Sequence, residues 1–336
     1  MSRKARSAPT PRCSTRKRRP PSGRHRSRES GPIPSDATRT PSRRNRRVSS
    51  ETDGRVQQIS IVGAGFMGSG IAESAARAGI RVSLCEPEPA PLEHSRSAIE
   101  ASIERGVKGG KLSAEEGEET FGRLSWTTDL DSLGGSELVI EAIVEDEAAK
   151  VELFSRLDRA ADETATLASN TSSIPIAGLA AATERPERVL GLHFFSPVPV
   201  MQLVEVVVGL ETSERTLAGA EAFAAQIGKT AIRTKDRSGF VVNFLLVPYL
   251  MAAVRMFEDG FASREDIDRG MQLGCGHPMG PLALCDLIGL DVLYSVCDSL
   301  YEEFKRDEYA PPPLMKRMVV SGHLGRKAGR GFYEYG

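Results

Sequence analysis

No apolar run in this 336-residue chain reaches the roughly 20 residues that a membrane-spanning helix needs. The longest, Phe240 to Val254, is interrupted by Asn243 and Pro248, so no membrane association is expected. The N-terminus has no apolar core segment of the secretory kind. Cysteine is scarce: there are five, at positions 13, 85, 275, 285 and 297, and no two are spaced Cys-x-x-Cys. That number and spacing speak against a disulfide framework and against a metal site, and favour a reducing compartment, the cytoplasm.

Overall charge is also nearly absent, at −1, but this conceals two opposite parts. Residues 1–54 hold 16 Lys and Arg against 4 Asp and Glu, a local charge of +12, which leaves −13 on the remainder. High charge with few large apolar residues predicts a disordered basic extension over 1–54. A solvated tail or an upstream extension of the reading frame is the plain reading, with folding starting near Val48 or Val56. The Arg- and Ser-rich composition also suits a transit peptide, although prolines such as Pro9, Pro20 and Pro32 spoil an amphipathic helix. An arm for nucleic acid or another anionic surface is a third reading, confined to this segment, since no nucleic-acid partner is expected for the folded part.

What is present begins with Val56 to Val62, which reads as a strand, followed by Gly63-Ala64-Gly65-Phe66-Met67-Gly68 and a helical pattern from Ile71 to Ala78. A G-x-G-x-x-G between strand and helix is the setting of a dinucleotide-binding turn. The first glycine allows the tight turn, the second lets the backbone approach a pyrophosphate, and the third lets helix and strand pack closely. Gly63, Gly65, Phe66, Met67 and Gly68 are therefore candidate cofactor contacts. A second strand, Ile80 to Cys85, ends at Glu86, 18 residues beyond Gly68. An acid there suits the ribose hydroxyls and favours NAD, with NADP left open.

Strand and helix patterns continue to alternate: Glu137 to Ile140 as a strand, Asp146 to Ala161 as a helix, Thr164 to Ala168 as a strand. Alternation implies a parallel sheet with ligands beyond the strand C-termini. Glu141, Glu145 and the cluster Ser169 to Ser173 stand at those ends. Ala98 to Leu112 reads as a helix running into a basic turn, where Lys108 and Lys111 could meet an anionic handle or form an exposed loop.

Gly191 to Val208 sets His193 and Glu205 among almost entirely apolar residues. A buried, unpaired carboxylate would cost several kcal/mol or more, so Glu205 needs a partner, and His193 is the best candidate. Such a pair makes a general base.

Beyond Thr230 to Thr234 the pattern changes to long helices: Phe240 to Phe257, Ser263 to Gln272, and Leu282 to Tyr301 broken near Gly289. Asn243 lies in the first turn of an apolar helix, where its amide needs a partner or a ligand, and Pro248 should kink that helix. His277, in a turn-rich link, reads as structural. The expected fold is α/β: a Rossmann-type dinucleotide-binding domain over 55–236 followed by an all-α C-terminal substrate and dimerisation domain over 237–336. The apolar excess of the helices predicts a homodimer.

The strings SNTSSIPI, GLHFFSPVPVMQLVEVV, SGFVVNFLLVPYL, GHPMGPLALCDLIGLD and GRKAGRGFYEY together resemble the 3-hydroxyacyl-CoA dehydrogenase family, and within it the bacterial 3-hydroxybutyryl-CoA dehydrogenases. The resemblance covers about Gln57 to Tyr335. It implies reversible, NAD-dependent oxidation of an L-3-hydroxyacyl-CoA, as in fatty acid β-oxidation and butanoate metabolism. It implies His193 as base, Glu205 as its partner, and Ser172 and Asn243 as holders of the substrate oxygens. Glu145, Lys150 and Asn170 match positions that contact NAD, and Ser102 with Lys108 or Lys111 match the region receiving CoA. Ser196, Phe244 and Ala252 depart from the family pattern, which leaves room for a hydroxyacyl group on a carrier protein or for a hydroxy sugar acid.

Overall fold

The computed structural model describes residues 55–336. The disorder expected of residues 1–54 lies outside the described residues. Strand β1 (Gln58–Val62) is buried along four consecutive positions, because helices cover both faces of the sheet. It leads through the glycine turn into α1 (Phe66–Arg77), then β2 (Arg81–Cys85), α2 (Pro89–Lys108), α3 (Ala114–Gly122) and β3 (Leu124–Thr127). The chain continues as β4 (Leu138–Glu141), α4 (Glu147–Ala160), β5 (Thr166–Ser169), α5 (Ile176–Ala180), β6 (Val189–Phe194), β7 (Leu203–Val208), α6 (Glu214–Gln226) and β8 (Thr230–Lys235).

The eight strands form one sheet in the order β3-β2-β1-β4-β5-β6-β7-β8. The expectation of a parallel sheet needs one correction, since β6 and β7 pair antiparallel. Their connection, Phe195 to Gln202, is too short for the crossover of a dozen or more residues that a parallel pair needs. Antiparallel pairing sets residues of the two strands directly opposite each other, and His193 faces Glu205.

Two apolar clusters sandwich the sheet. One joins it to α1, α2 and α6 through Ile71, Ile99 and Phe223; the other joins it to α4 and α5 through Phe154, Leu157 and Leu179. The third cluster belongs to the helical half: α7 (Val242–Glu258), α8 (Arg264–Cys275), α9 (Pro281–Ile288), α10 (Leu290–Phe304) and α11 (Pro313–Val320). Two buried carboxylates organise it. Asp268 accepts the Leu282 and Ala283 amides at the start of α9, and Asp286 accepts those of Phe332 and Tyr333, holding the C-terminal segment in place.

Several elements differ from the sequence expectation. Helix α2 starts nine residues before Ala98, at Pro89, because a proline in the first turn has the right φ and needs no donor. It also ends at Lys108, short of Leu112. Helices α3, α6 and α11 and strand β3 were not expected, although Ser113 and Glu116 form a full capping box and Ser213 caps α6. The break near Gly289 separates α9 from α10. Helix α7 starts at Val242, two residues after Phe240, and holds Pro248 in its interior.

Candidate active site

The strand order reverses between β1 and β4, the place where doubly wound sheets open a crevice for a dinucleotide. The three glycines there have different duties. Gly63 has φ +111° and a side chain would meet the Ala142 carbonyl oxygen at 2.4 Å; at Gly68 it would meet the Gly63 carbonyl oxygen at 1.9 Å. Over Gly65 there is nothing within 4 Å among the described residues. Gly65 is also the N-cap of α1 and offers no side chain to the first-turn amides, which are thereby left to bind an anion. Phe66 stands exposed beside this space and Met67 is half-buried. Glu86 reaches back to accept the Ala64 amide at 3.1 Å. Open space over Gly65, uncapped amides and an acid at the end of β2 fit the pyrophosphate and ribose of NAD.

At the C-terminal ends of β5 and β6 lies a connected polar group. Glu205 is fully buried, and its Oε2 is 2.7 Å from His193 Nδ1. A carboxylate only accepts, so Nδ1 carries the proton and Nε2 presents its lone pair. Ser172 Oγ is 3.0 Å from that Nε2. The other oxygen of Glu205, Oε1, accepts the Val241 and Val242 amides at 3.0 Å each, at the start of α7. The carboxylate is thus satisfied on both sides, and Phe195 and Phe240 flank the imidazole at 4.7 and 5.4 Å.

A second network, anchored on the buried Glu141 and Lys150, supports Ser172 from below. Glu145 Oε1 accepts the Thr171 hydroxyl at 2.6 Å and the Ser172 amide at 2.8 Å. Lys150, 1 % exposed, bridges Glu145 at 3.2 Å and Glu141 at 2.5 Å, and Glu141 also accepts the Ser169 hydroxyl at 2.6 Å. Burial pushes the Glu145 carboxyl up, but the Lys150 ammonium and the Thr171 and Ser172 hydrogen bonds outweigh it and hold it below the ordinary glutamate range. Lys150 differs here from the sequence expectation: its ammonium is enclosed by two carboxylates instead of open to a cofactor.

Other expected residues fall in different places. Asn170 accepts the Phe194 amide through Oδ1 at 3.0 Å, tying the ends of β5 and β6. Asn243 sits in the first turn of α7, next to the amides that hold Glu205, and its side chain has no hydrogen bond among the described residues. Ser102, Lys108 and Lys111 lie apart from the His193 network. Ser102 donates to Glu73 at 3.0 Å, Lys108 pairs with Glu104 at 3.0 Å, and Lys111 is exposed without an ion pair among the described residues. His277, expected to be structural, is 3.1 Å from the Tyr249 hydroxyl. Phe240 and the two amides at the start of α7 are functional groups without a local sequence signal of their own; the preceding Gly239, at φ +75°, marks only an abrupt turn.

A dinucleotide fold carrying a histidine–carboxylate pair and a serine at its strand ends defines a nicotinamide-dependent dehydrogenase. Comparison with known proteins narrows the class. Residues 58–237 match the family described as 3-hydroxyacyl-CoA dehydrogenase, NAD binding domain, and residues 239–335 match its C-terminal domain. The chain belongs to the 3-hydroxyacyl-CoA dehydrogenase family. It is 55 % identical over 282 residues to a 3-hydroxybutyryl-CoA dehydrogenase of Mycobacterium tuberculosis, covering 83 % of this chain and 99 % of that one. The crystal structure of M. tuberculosis FadB2 has 55 % identity, covers 84 % of this chain and 99 % of its own, and gives a TM-score of 0.82. That of (S)-3-hydroxybutyryl-CoA dehydrogenase PaaH1 from Ralstonia eutropha has 44 % identity, covers 84 % and 100 %, and gives 0.80.

Proposed function

We propose that this protein interconverts an L-3-hydroxyacyl-CoA, 3-hydroxybutyryl-CoA in the first instance, and its 3-keto counterpart, with NAD as cofactor. The observation that carries this reading is the unbroken line Ser172 Oγ, His193 Nε2, His193 Nδ1, Glu205 Oε2, with contacts of 3.0 and 2.7 Å. Bound NAD supplies the acceptor for the hydride of the substrate carbinol. Gly63, Gly65, Phe66, Met67, Gly68 and Glu86 hold it, with Glu145 and Asn170 beside it. Nε2 of His193 takes the 3-hydroxyl proton, and Glu205 stabilises the imidazolium so formed. In the reducing direction the imidazolium returns that proton to the 3-keto oxygen. Ser172 and Asn243 hold the substrate oxygens, Ser172 from its position on Nε2 and Asn243 with an amide that no group among the described residues occupies. Lys111 is the better of the two lysines for a CoA phosphate, since Lys108 is engaged by Glu104.

The exposed residues Val241, Leu245, Ala252 and Met256 make an apolar stripe along α7, which supports a homodimer built on the helical half. Sedimentation tests it. Among the described residues no helix is long and apolar enough to cross a membrane, and the unpaired Cys85, Cys275, Cys285 and Cys297 suit the cytoplasm.

Rapid NADH oxidation with acetoacetyl-CoA is expected, with slower rates for NADPH and for the same acyl group on a carrier protein. No turnover with acetoacetyl-CoA, together with turnover of carrier-protein or sugar-acid substrates, would reverse the assignment.

A further inference from the structure

Residues 238–241 link the sheet to the helical half. Phe240 has φ +45°, a left-handed conformation disfavoured for a side chain of this size. Such a conformation persists only where the surroundings over-determine it, and it clusters at functional sites. Here the surroundings are visible. Ser238 donates its hydroxyl to the Ser173 carbonyl at 2.7 Å, and its amide to Glu303 of α10 at 3.2 Å. Gly239, at φ +75°, leaves no room for a side chain, since a Cβ would be 2.7 Å from Leu300. The chain is thus gripped on both sides and reverses at Gly239 and Phe240.

The reversal has two products. It turns the Val241 and Val242 amides onto Glu205 Oε1, and it lays the buried Phe240 ring 5.4 Å from the His193 imidazole, tilted by 57°. Phe240 therefore bears on both members of the pair, on Glu205 through the turn that aims the two amides and on His193 through its ring, which flanks the imidazole together with Phe195 at 4.7 Å. Neither hold comes from the sheet that carries them.

We propose that Phe240 is a positioning residue for the dehydrogenase reaction: through its ring and its left-handed turn, the helical half fixes His193 and Glu205 in register with each other and with Ser172. The helical half thereby contributes to proton transfer as well as to substrate binding. This proposal rests on His193 being the base.

The test compares F240A, F240L and F240Y with wild type and H193A in acetoacetyl-CoA reduction, with kcat expressed per NADH-binding site from a fluorescence titration. Counting sites removes any effect of a misfolded fraction. A displaced imidazole should lower kcat per site in F240A by at least about tenfold, with KM for NADH changed less than about twofold. F240Y, which keeps the ring, should recover to within about threefold of wild type. If F240A does not fold, F240L takes its place, and the same tenfold loss is expected because bulk without the flat ring no longer backs an imidazole that Glu205 and Ser172 hold only at its two nitrogens. A loss smaller than about threefold in the variant measured, or no recovery in F240Y, overturns the proposal. An inactive H193A beside a fully active F240A sinks this proposal alone; an active H193A sinks the reading of the base and the proposal with it.

Discussion

His193 and Glu205 are direct cross-strand partners in the antiparallel pair β6 and β7, with Nδ1 2.7 Å from Oε2, while the second carboxylate oxygen accepts two amides from α7. Both oxygens are therefore acceptors, and glutamine, with one acceptor oxygen, can satisfy only one side. Glu205→Gln should lower kcat by roughly 10²- to 10⁴-fold, the range of general acid–base catalysis. It should also cost about 1–3 kcal/mol of stability for a mispaired buried group. Stopped-flow turnover and denaturant unfolding check the two effects; turnover within about threefold of wild type would show that the carboxylate does not serve the imidazole.

Ser172 is held twice, by its amide to Glu145 and by its hydroxyl to His193. Ser172→Ala removes only the second contact. The expected result is a loss of roughly tenfold or more in kcat/KM for acetoacetyl-CoA, with NADH affinity unchanged in a fluorescence titration. A matching loss of NADH affinity would assign the serine to the cofactor.

How much of this was legible in the sequence depends on the range of the cause. The glycine turn, Glu86 and the alternation of β1, α1 and β2 are set by local backbone needs, so a short window contains them. The His193–Glu205 pair was legible for another reason: polar residues stand out in apolar strands and their burial requires a partner. The burial of Lys150 was not, because it depends on Glu141 and Glu145 closing around one ammonium from β4 and the loop after it. Helix α3 was missed despite its Ser113–Glu116 box, since only Gly117 and Thr120 of it are buried and it carries no long apolar stripe. The role of Phe240 was hidden altogether, because its meaning lies in a φ value and in contacts made across the two halves.

Glu86 accepts the Ala64 amide at 3.1 Å, which aims its carboxylate at the glycine turn, where the negative charge opposes a 2′-phosphate. Glu86→Gln should raise kcat/KM for NADPH and lower it for NADH, so that their ratio moves by about tenfold, the equivalent of roughly 1.4 kcal/mol. Steady-state rates with both cofactors measure it. An unchanged ratio would remove Glu86 from the ribose.

Glu145 gives a pH prediction with a definite sign. Burial raises its carboxyl, but Lys150 and the hydrogen bonds from Thr171 and Ser172 leave it below the ordinary value. A carboxylate lowered by folding contributes stability above its unfolded pKa, and that contribution is lost as pH falls through the folded value. Glu145→Gln should therefore be less stable than wild type at pH 7, and the gap should shrink as pH falls below about 4.3. Urea unfolding across this range checks it, and a gap that widens on acidification would contradict the assigned direction.

Gly65 and Gly68 separate cofactor binding from folding. A side chain at 68 would overlap the Gly63 carbonyl oxygen at 1.9 Å, whereas at 65 nothing among the described residues lies within 4 Å and φ is an ordinary −72°. Backbone crowding of that kind costs about 1–3 kcal/mol or more, so Gly68→Ala should lower stability measurably even without NADH. Gly65→Ala should leave the unfolding midpoint of the cofactor-free protein almost unchanged. Its methyl group would instead occupy the space over the start of α1, and NADH affinity should fall by about tenfold or more because the backbone can no longer approach the pyrophosphate closely. Isothermal titration and thermal unfolding of the two variants give the comparison. If Gly65→Ala kept wild-type NADH affinity, the dinucleotide would have to lie away from this turn, and only the packing duties of Gly63 and Gly68 would remain.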